Sequence, residues 1–95
     1  MPNCNLSLKI IPMVAKEQLY PVVDDVIRMI AASGLKYVVG PCETSVEGDI
    51  DQLLALVKKA QEVCLSQGAE RVISMITLDY SPDGVSMDEK MAPYR

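Results

Sequence analysis

The chain has 95 residues, of which 49% are hydrophobic and 23% are charged, a composition that suits one globular domain over residues 1–95. Its net charge of −4 and its scattered lysines and arginines offer no basic face, which argues against nucleic-acid binding. The absence of histidine excludes a His-based catalytic triad and argues against a zinc site. The three cysteines, Cys4, Cys42 and Cys64, form no CxxC pair, and free cysteines suit the reducing cytoplasm, where we expect this protein. No apolar run of about 18 residues occurs, so we expect no membrane span.

The first two elements follow from two different hydrophobic periods. Apolar and polar residues alternate over residues 4–11, which predicts a half-buried strand that Pro12 ends. Apolar residues then recur at helical spacing over residues 18–33, which predicts a helix. Gly34 follows the last periodic residue and is a typical helix stop.

The middle of the chain predicts a hairpin that leads into a second helix. Two short strands, over residues 35–39 and 42–46, flank a Gly-Pro turn. Asp49 is a candidate N-cap, and Gln52 follows three residues later as in a capping box. We expect this helix to extend to about residue 67. Its predicted apolar face comprises Ile50, Leu53, Leu54, Val57, Ala60 and Cys64.

The last predicted strand covers residues 71–80, and a helical turn is expected to begin near Ser86. The resulting order βαββαβ predicts an α+β, ferredoxin-like fold, in which two helices cover one face of a four-stranded antiparallel sheet. Ile73 and Met75 would lie on the uncovered face. An apolar patch there predicts self-association through the sheet, and coverage by the C-terminal tail is the alternative.

Candidate binding residues cluster in the segment GPCETSVEGD, residues 40–49. Thr44 and Ser45 provide hydroxyl groups, and Glu47 provides a carboxylate. On an extended backbone Ser45 and Glu47 share one face while Thr44 lies on the other, unless the turn at Gly48 brings them together. The polar residues of this segment are therefore candidates for a pocket wall.

Each candidate also has an ordinary structural role, and the residues alone leave both interpretations open. Glu47 is placed at a helix entry, where the helix dipole favours a carboxylate. Thr44 and Ser45 suit a half-exposed strand. Tyr37 is a candidate for stacking on a ligand ring or for covering the sheet edge, and Ser33 is a further candidate whose hydroxyl suits a helix end.

The same segment carries a resemblance to a known family. The chain resembles the UPF0045 family of small thiamine-binding proteins, most clearly in the run SGLKYVVGPCETSVEGDIDQLL. The family pattern has a first strand ending in proline, a tyrosine in the second strand and a Thr-x-x-Glu-Gly segment. Pro12, Tyr37, Thr44 and Glu47 hold these positions, and Lys90 matches the usual lysine of the closing segment.

This resemblance implies binding without turnover. Its expected ligand is thiamine or the hydroxymethylpyrimidine moiety of thiamine, in vitamin salvage or transport, with no further cofactor. In the implied site Glu47 accepts from the ring amine, Thr44 and Ser45 add hydroxyl contacts, and Tyr37 stacks on the ring, with Ser33 as a fifth candidate. The resemblance also implies a homodimer or homotetramer built through the sheet faces.

Two other function classes remain as alternatives. The first is a regulatory or assembly module that binds a protein partner through the open sheet face without a small ligand. The second is an enzyme on the same fold, such as an acylphosphatase-like hydrolase. It is disfavoured because Cys42 has no histidine to act as its base and no arginine-bearing anion loop is visible. No metal site is expected, since the acidic residues near the C-terminus match no EF-hand spacing.

Overall fold

The structure, a computed structural model, describes residues 2–95, and its elements follow the predicted order. The helices and strands are β1 (Cys4–Pro12), α1 (Leu19–Ala32), β2 (Lys36–Val39), β3 (Thr44–Gly48), α2 (Ile50–Ser66), β4 (Val72–Asp79) and α3 (Met87–Met91). All strand pairs are antiparallel, in the spatial order β2-β3-β1-β4. The α+β, ferredoxin-like prediction is therefore confirmed. Among residues 2–95 no helix is both long and apolar enough to cross a bilayer.

The hairpin is where the observed bounds differ most from the predicted ones. Strand β3 begins at Thr44 rather than at residue 42, and it continues to Gly48. The backbone N–H of Gly40 donates to the carbonyl of Glu43 at 2.8 Å, so residues 40–43 form the turn. Pro41 has no N–H to give to a strand ladder, which delays the start of β3. The other predicted bounds differ from the observed ones by one residue at most.

Helices α1 and α2 pack side by side over one face of the sheet, and the core between them is aliphatic. Leu6 of β1 and Val46 of β3 contribute from the sheet, and each is almost fully buried. Val26 and Leu53 contribute from the two helices. Because β1 alternates, the residues between its buried ones must point to the opposite face of the sheet.

One residue of the predicted apolar face of α2 lies outside it. Leu54 is 45% exposed, whereas Leu56, which the prediction omitted, is 6% exposed. The buried positions of α2 form a stripe about 100° wide around the helix, with Leu53 near its middle and Leu56, Val57, Ala60 and Cys64 beside it. Leu54 follows Leu53 by about 100° around the helix and so leaves this stripe.

Local signals at the helix ends agree with the structure. The carboxylate of Asp49 accepts from the backbone N–H of Gln52 at 2.8 Å, and the Gln52 side chain accepts from the N–H of Asp49 at 3.1 Å. The predicted capping box is therefore present and fixes the angle at which β3 enters α2. Gly34 and Gly68 follow α1 and α2 with φ values of 79° and 97°, the left-handed conformation of a helix stop.

Helix α3 crosses the face of the sheet that α1 and α2 leave open. Ser86 caps it by accepting from the N–H of Glu89 at 3.3 Å, so the predicted helical turn is present. The contacts of α3 are with one end of the sheet, near Glu47. At the other end Ile73 is 40% exposed and Met75 is 56% exposed, so the described C-terminal residues do not cover them.

Candidate functional site

A cavity of about 380 Å³ lies on the open face, between the sheet and α3. Its volume falls within the range of about 300–1,000 Å³ typical of small-ligand sites. The sheet and its β2-β3 turn contribute Asn5, Leu6, Ser7, Val38, Gly40, Glu43, Ser45, Thr77 and Asp79. The α3 side contributes Met87, Lys90 and Met91. The cavity thus combines a polar floor with an apolar and cationic cover.

The strand register explains why the floor is polar. Residues that pair directly across neighbouring strands share one face, with Cβ atoms about 4.5–5.5 Å apart. Two rows of open-face residues result, each crossing all four strands. The first row is Lys36, Glu47, Asn5 and Asp79. The second row is Val38, Ser45, Ser7 and Thr77.

Asn5 and Glu47 are joined at the centre of the first row. The amide nitrogen of Asn5 donates to Oε1 of Glu47 at 3.0 Å. The backbone N–H of Met87, the first residue of α3, donates to the same Oε1 at 2.8 Å. One carboxylate oxygen therefore holds both a side chain of the cavity floor and the beginning of the helix that covers it.

The amide oxygen of Asn5, Oδ1, has no hydrogen-bond partner among the described residues. Asn5 is only 7% exposed, and this oxygen is buried. A carboxylate can only accept, so Glu47 fixes the NH₂ group of Asn5 toward itself and leaves Oδ1 as an acceptor. An unpaired buried acceptor costs about 1–3 kcal/mol. Such an atom, in a residue that lines a cavity, calls for a further partner such as a bound water or a donor from a ligand.

Two ion pairs connect α3 to the ends of the first row. Lys90 on α3 pairs with Asp79 on β4 at 2.5 Å. Lys36 on β2 pairs with Asp88 on α3, and this hydrogen bond and the charge of Lys36 lower the pKa of Asp88 below its ordinary value. All four side chains are exposed or half exposed, so solvent screens both pairs and each contributes little to stability. Helix α3 is thus held by these two ion pairs, by its bond to Glu47 and by the side chain of Met87, which is 4% exposed.

The structure brings two of the five predicted ligand residues to this site. Ser45 lines the cavity, and Glu47 lies beside it in the first row. Thr44 lies on the helix side, 8% exposed, and lines a separate cavity of about 110 Å³. Strand β3 stays regular through Gly48, so the turn into α2 does not bring Thr44 and Glu47 together.

The remaining two predicted residues lie elsewhere. Tyr37 pairs with Val46 on the helix side of edge strand β2 and is 38% exposed. The hydroxyl of Ser33 donates to the carbonyl of Ile30 at 2.5 Å and accepts from the N–H of Leu35 at 3.2 Å, at the end of α1. Neither lines the cavity under α3.

Several cavity residues escaped the sequence analysis. Asn5 and Ser7 carried a usable signal, because they alternate with buried residues on β1, a central strand of the predicted fold. Their side chains had to lie in the middle of the open face. Asp79 carried no such signal, and Lys90 was singled out only by its match to the closing segment of the family, because only the return of α3 across the sheet brings the two together.

The cysteines lie outside the cavity. Cys4 and Cys64 are buried, and burial raises the pKa of the Cys64 thiol, while Cys42 is exposed in the turn before β3. No group of three or more Cys, Asp or Glu side chains in residues 2–95 is arranged to hold a metal ion. The cavity is lined by hydrogen-bonding groups, by the Asp79–Lys90 ion pair and by the carboxylate of Glu43.

Comparisons with known proteins agree with this fold. The sequence profile of thiamine-binding proteins matches residues 6–95. A UPF0045 protein of Clostridium perfringens is 54% identical over 95 residues, which is 100% of both chains. A domain of unknown function, DUF77, from Bacillus cereus has a TM-score of 0.93 at 41% identity, covering 99% of this chain and 91% of that one. A candidate thiamine biosynthesis or salvage protein of Thermotoga maritima has a TM-score of 0.90 at 34% identity, covering 99% and 100%.

Proposed function

The chain belongs to the thiamine-binding protein family, and from this premise we propose that it binds thiamine, or the hydroxymethylpyrimidine half of thiamine, in the cavity under α3. The proposed activity is binding without turnover, in vitamin salvage or transport in the cytoplasm. The observation that carries the proposal is the buried, unpartnered Oδ1 of Asn5 in the wall of that cavity. It requires a donor, and the exocyclic amine of an aminopyrimidine is one.

The other cavity residues complement the rest of an aminopyrimidine. Hydroxyl groups of Ser7, Ser45 and Thr77 can donate to or accept from the ring nitrogens. Met87 and Met91 offer thioethers to the faces of an aromatic ring. A ligand without the amine would leave Oδ1 of Asn5 unpaired, so such a site discriminates strongly against it.

Access to Asn5 requires a movement of α3. Oδ1 of Asn5 is shielded from solvent in the arrangement described here. The contacts that hold α3 to the first row are two exposed ion pairs and one backbone N–H bond to Glu47. Because such pairs contribute little, we propose that α3 lifts as the ligand enters and then closes over it.

The five residues predicted from the sequence take different places in this proposal. Ser45 contacts the ligand directly, and Glu47 acts through Asn5, whose amide it orients. The ligand contacts predicted for Thr44, Tyr37 and Ser33 stay predictions.

Calorimetry with thiamine and with the free hydroxymethylpyrimidine tests the proposed function. We expect heat of binding with the wild-type protein and its loss in Asn5→Leu, because leucine offers no acceptor. Urea unfolding should show that Asn5→Leu still folds, since it removes the unpaired Oδ1 together with one hydrogen bond to Glu47, whose Oε1 keeps the N–H of Met87. Asn3→Leu is the matched control, since it makes the same change at an exposed residue outside this cavity. Absence of binding to the wild-type protein, or unchanged affinity in Asn5→Leu, would contradict the proposal.

We also propose that a second copy of the chain covers the apolar end of the open face. Ile11 pairs with Ile73 there, and Met75 on the same strand is 56% exposed. Strand β4 lies at the edge of the sheet, and its Ile76 and Leu78 are also exposed. Exposed apolar side chains on both faces of an edge strand favour a homodimer or homotetramer over a monomer.

A further inference from the structure

The cavity contains an ion pair that the binding of a pyrimidine ring does not need. Asp79 at the end of β4 and Lys90 on α3 both line the cavity, and they pair with each other at 2.5 Å. Their side chains are 47% and 46% exposed, so the pair lies at the boundary between the cavity and solvent. Asp79 is directly opposite Asn5 in the strand register.

Asp79 and Asn5 thus form two neighbouring acceptors on the cavity floor. Oδ1 of Asn5 is buried and unpartnered, and Asp79 provides a carboxylate whose partner is Lys90. Among the described lining residues the charged side chains are Glu43, Asp79 and Lys90, so the wall has one more carboxylate than ammonium groups. This balance favours a cation, and Asp79 is the carboxylate beside Asn5.

The ammonium group that pairs with Asp79 belongs to α3, the helix that must move to admit a ligand. Lys90 lies on α3, whereas Asp79 lies on the rigid sheet. A movement of α3 that admits a ligand therefore separates Lys90 from Asp79. The carboxylate then needs a new positive partner, since an unpaired charge in a partly closed site is unfavourable.

We propose that the Asp79–Lys90 pair sets the charge specificity of this cavity: Lys90 neutralises Asp79 in the ligand-free protein, and a cationic ring of the ligand replaces it. This inference rests on the proposed function and extends it from the pyrimidine ring of thiamine to its cationic thiazolium ring. A quaternary, thiazolium-type cation bonded to the aminopyrimidine has its charge near the ring that Asn5 holds. The site then selects the unphosphorylated cation over a neutral pyrimidine and over a phosphate ester.

Three variants and three ligands, namely thiamine, the neutral hydroxymethylpyrimidine and thiamine monophosphate, test this specificity by calorimetry. Lys90→Met removes the competing ammonium group, so we expect the affinity for thiamine to rise about two- to fivefold, the strength of a half-exposed ion pair, while the affinity for the neutral hydroxymethylpyrimidine stays unchanged. Asp79→Asn should lower the thiamine affinity by about tenfold or more, again without an effect on the neutral ligand. The control, Lys36→Met, makes the same charge change and cuts the other ion pair of α3, but leaves Asp79 paired. It should change both affinities by the same factor.

The possible outcomes distinguish three roles of Lys90. If Lys90→Met changes the affinities for thiamine and for the neutral pyrimidine equally, as Lys36→Met should, Lys90 only holds α3 and the charge-specificity proposal is wrong. If Lys90→Met instead weakens binding of thiamine monophosphate and leaves thiamine unaffected, Lys90 is a phosphate ligand and the proposal is also wrong. If neither ligand binds to the wild-type protein, the proposed function itself fails, and the inference fails with it.

Discussion

At the scale of single residues, Glu47 has a different role from the one its position suggests. Its place before α2 predicts a helix-entry carboxylate or a ligand contact. In the structure one of its oxygens accepts from Asn5 and from the N–H of Met87. Both bonds need an acceptor at that point, and neither needs a negative charge.

Substitution of Glu47 separates these roles. Glu47→Gln keeps an oxygen that can accept both bonds, so we expect it to bind thiamine with only a modest loss of affinity, because charge-assisted bonds are the stronger ones. Glu47→Ala leaves the N–H of Met87 and the amide of Asn5 without their partner, so it should destabilise the fold by about 1–3 kcal/mol and bind poorly. Calorimetry and urea unfolding measure the two effects. Equal loss of affinity in both variants would indicate that the carboxylate touches the ligand itself.

The three cysteines should differ in reactivity. Cys42 is exposed, whereas Cys4 and Cys64 are buried, and burial raises the pKa of the Cys64 thiol. Because the thiolate is the reactive form, we expect iodoacetamide to modify Cys42 in the native protein. The two buried thiols should react after unfolding in urea. Mass spectrometry of the peptides identifies the modified residue, and fast native labelling of Cys64 would mean that α2 opens readily.

At the scale of elements, α2 and α3 are specified in different ways. Helix α2 has 17 residues, a buried stripe and a capping box, so its own sequence and the core both fix it. Helix α3 has five residues and is held by its cap, by Glu47, by two ion pairs and by the buried side chain of Met87. A helix this short has no stability of its own, so these contacts determine where it lies.

The contribution of the α2 capping box to the free energy of unfolding should be measurable. Asp49→Ala removes the acceptor of the Gln52 N–H, so we expect it to lower the free energy of unfolding by about 1 kcal/mol. Asp51→Ala is the control, since Asp51 is an acidic residue of the same helical turn that does not cap it. Urea denaturation compares the two variants. An equal effect of both would attribute the stability to the helix dipole rather than to the cap.

The docking of α3 should depend on acidity. Lys36 lowers the pKa of Asp88, so this pair contributes fully above the ordinary carboxyl pKa, and its contribution is lost as the pH falls through the lowered value. We expect the amides of α3 to exchange with solvent more readily, relative to unstructured reference peptides, as the solution becomes strongly acidic. Lys36→Met should remove the part of this pH dependence that arises from Asp88. An unchanged pH profile in that variant would show that the pair does not hold α3.

At the scale of the whole molecule, the fold could be predicted but most of the site could not. Strand alternation, helical periodicity, Gly34, Gly68 and the Asp49 cap are local signals, and they specify the order and bounds of the main elements. The cavity depends on the register of four strands and on the return of α3. The partners of Asn5 are 42 and 74 residues away along the chain, at Glu47 and Asp79. No local pattern encodes such distant pairings, although strand alternation did place Ser45 and Glu47 on one face.

The proposed self-association can be tested by changing the apolar end of the open face. Met75→Lys places a charge in that patch, so we expect it to raise the dissociation constant of the oligomer by about tenfold or more. Leu65→Lys is the matched control, because Leu65 is 53% exposed on α2, which packs on the opposite face of the sheet. Sedimentation velocity over a range of protein concentrations measures both. A wild-type protein that sediments as a monomer, or an equal effect of the two variants, would contradict the proposed interface.

The oxygen that Asn5 and Met87 share also gives the protein a built-in spectroscopic probe. The Met87 N–H bonds to Glu47 and not to the cavity, but its partner oxygen is bonded to the amide that a ligand would engage. A ligand that draws Asn5 toward itself alters the bond from Glu47 to Met87, and neighbouring hydrogen bonds polarise one another. The proton resonance of this one backbone amide should therefore shift in nuclear magnetic resonance spectra as the site fills. Occupancy could then be followed at the backbone amide of Met87, whose hydrogen bond to Glu47 the ligand does not replace.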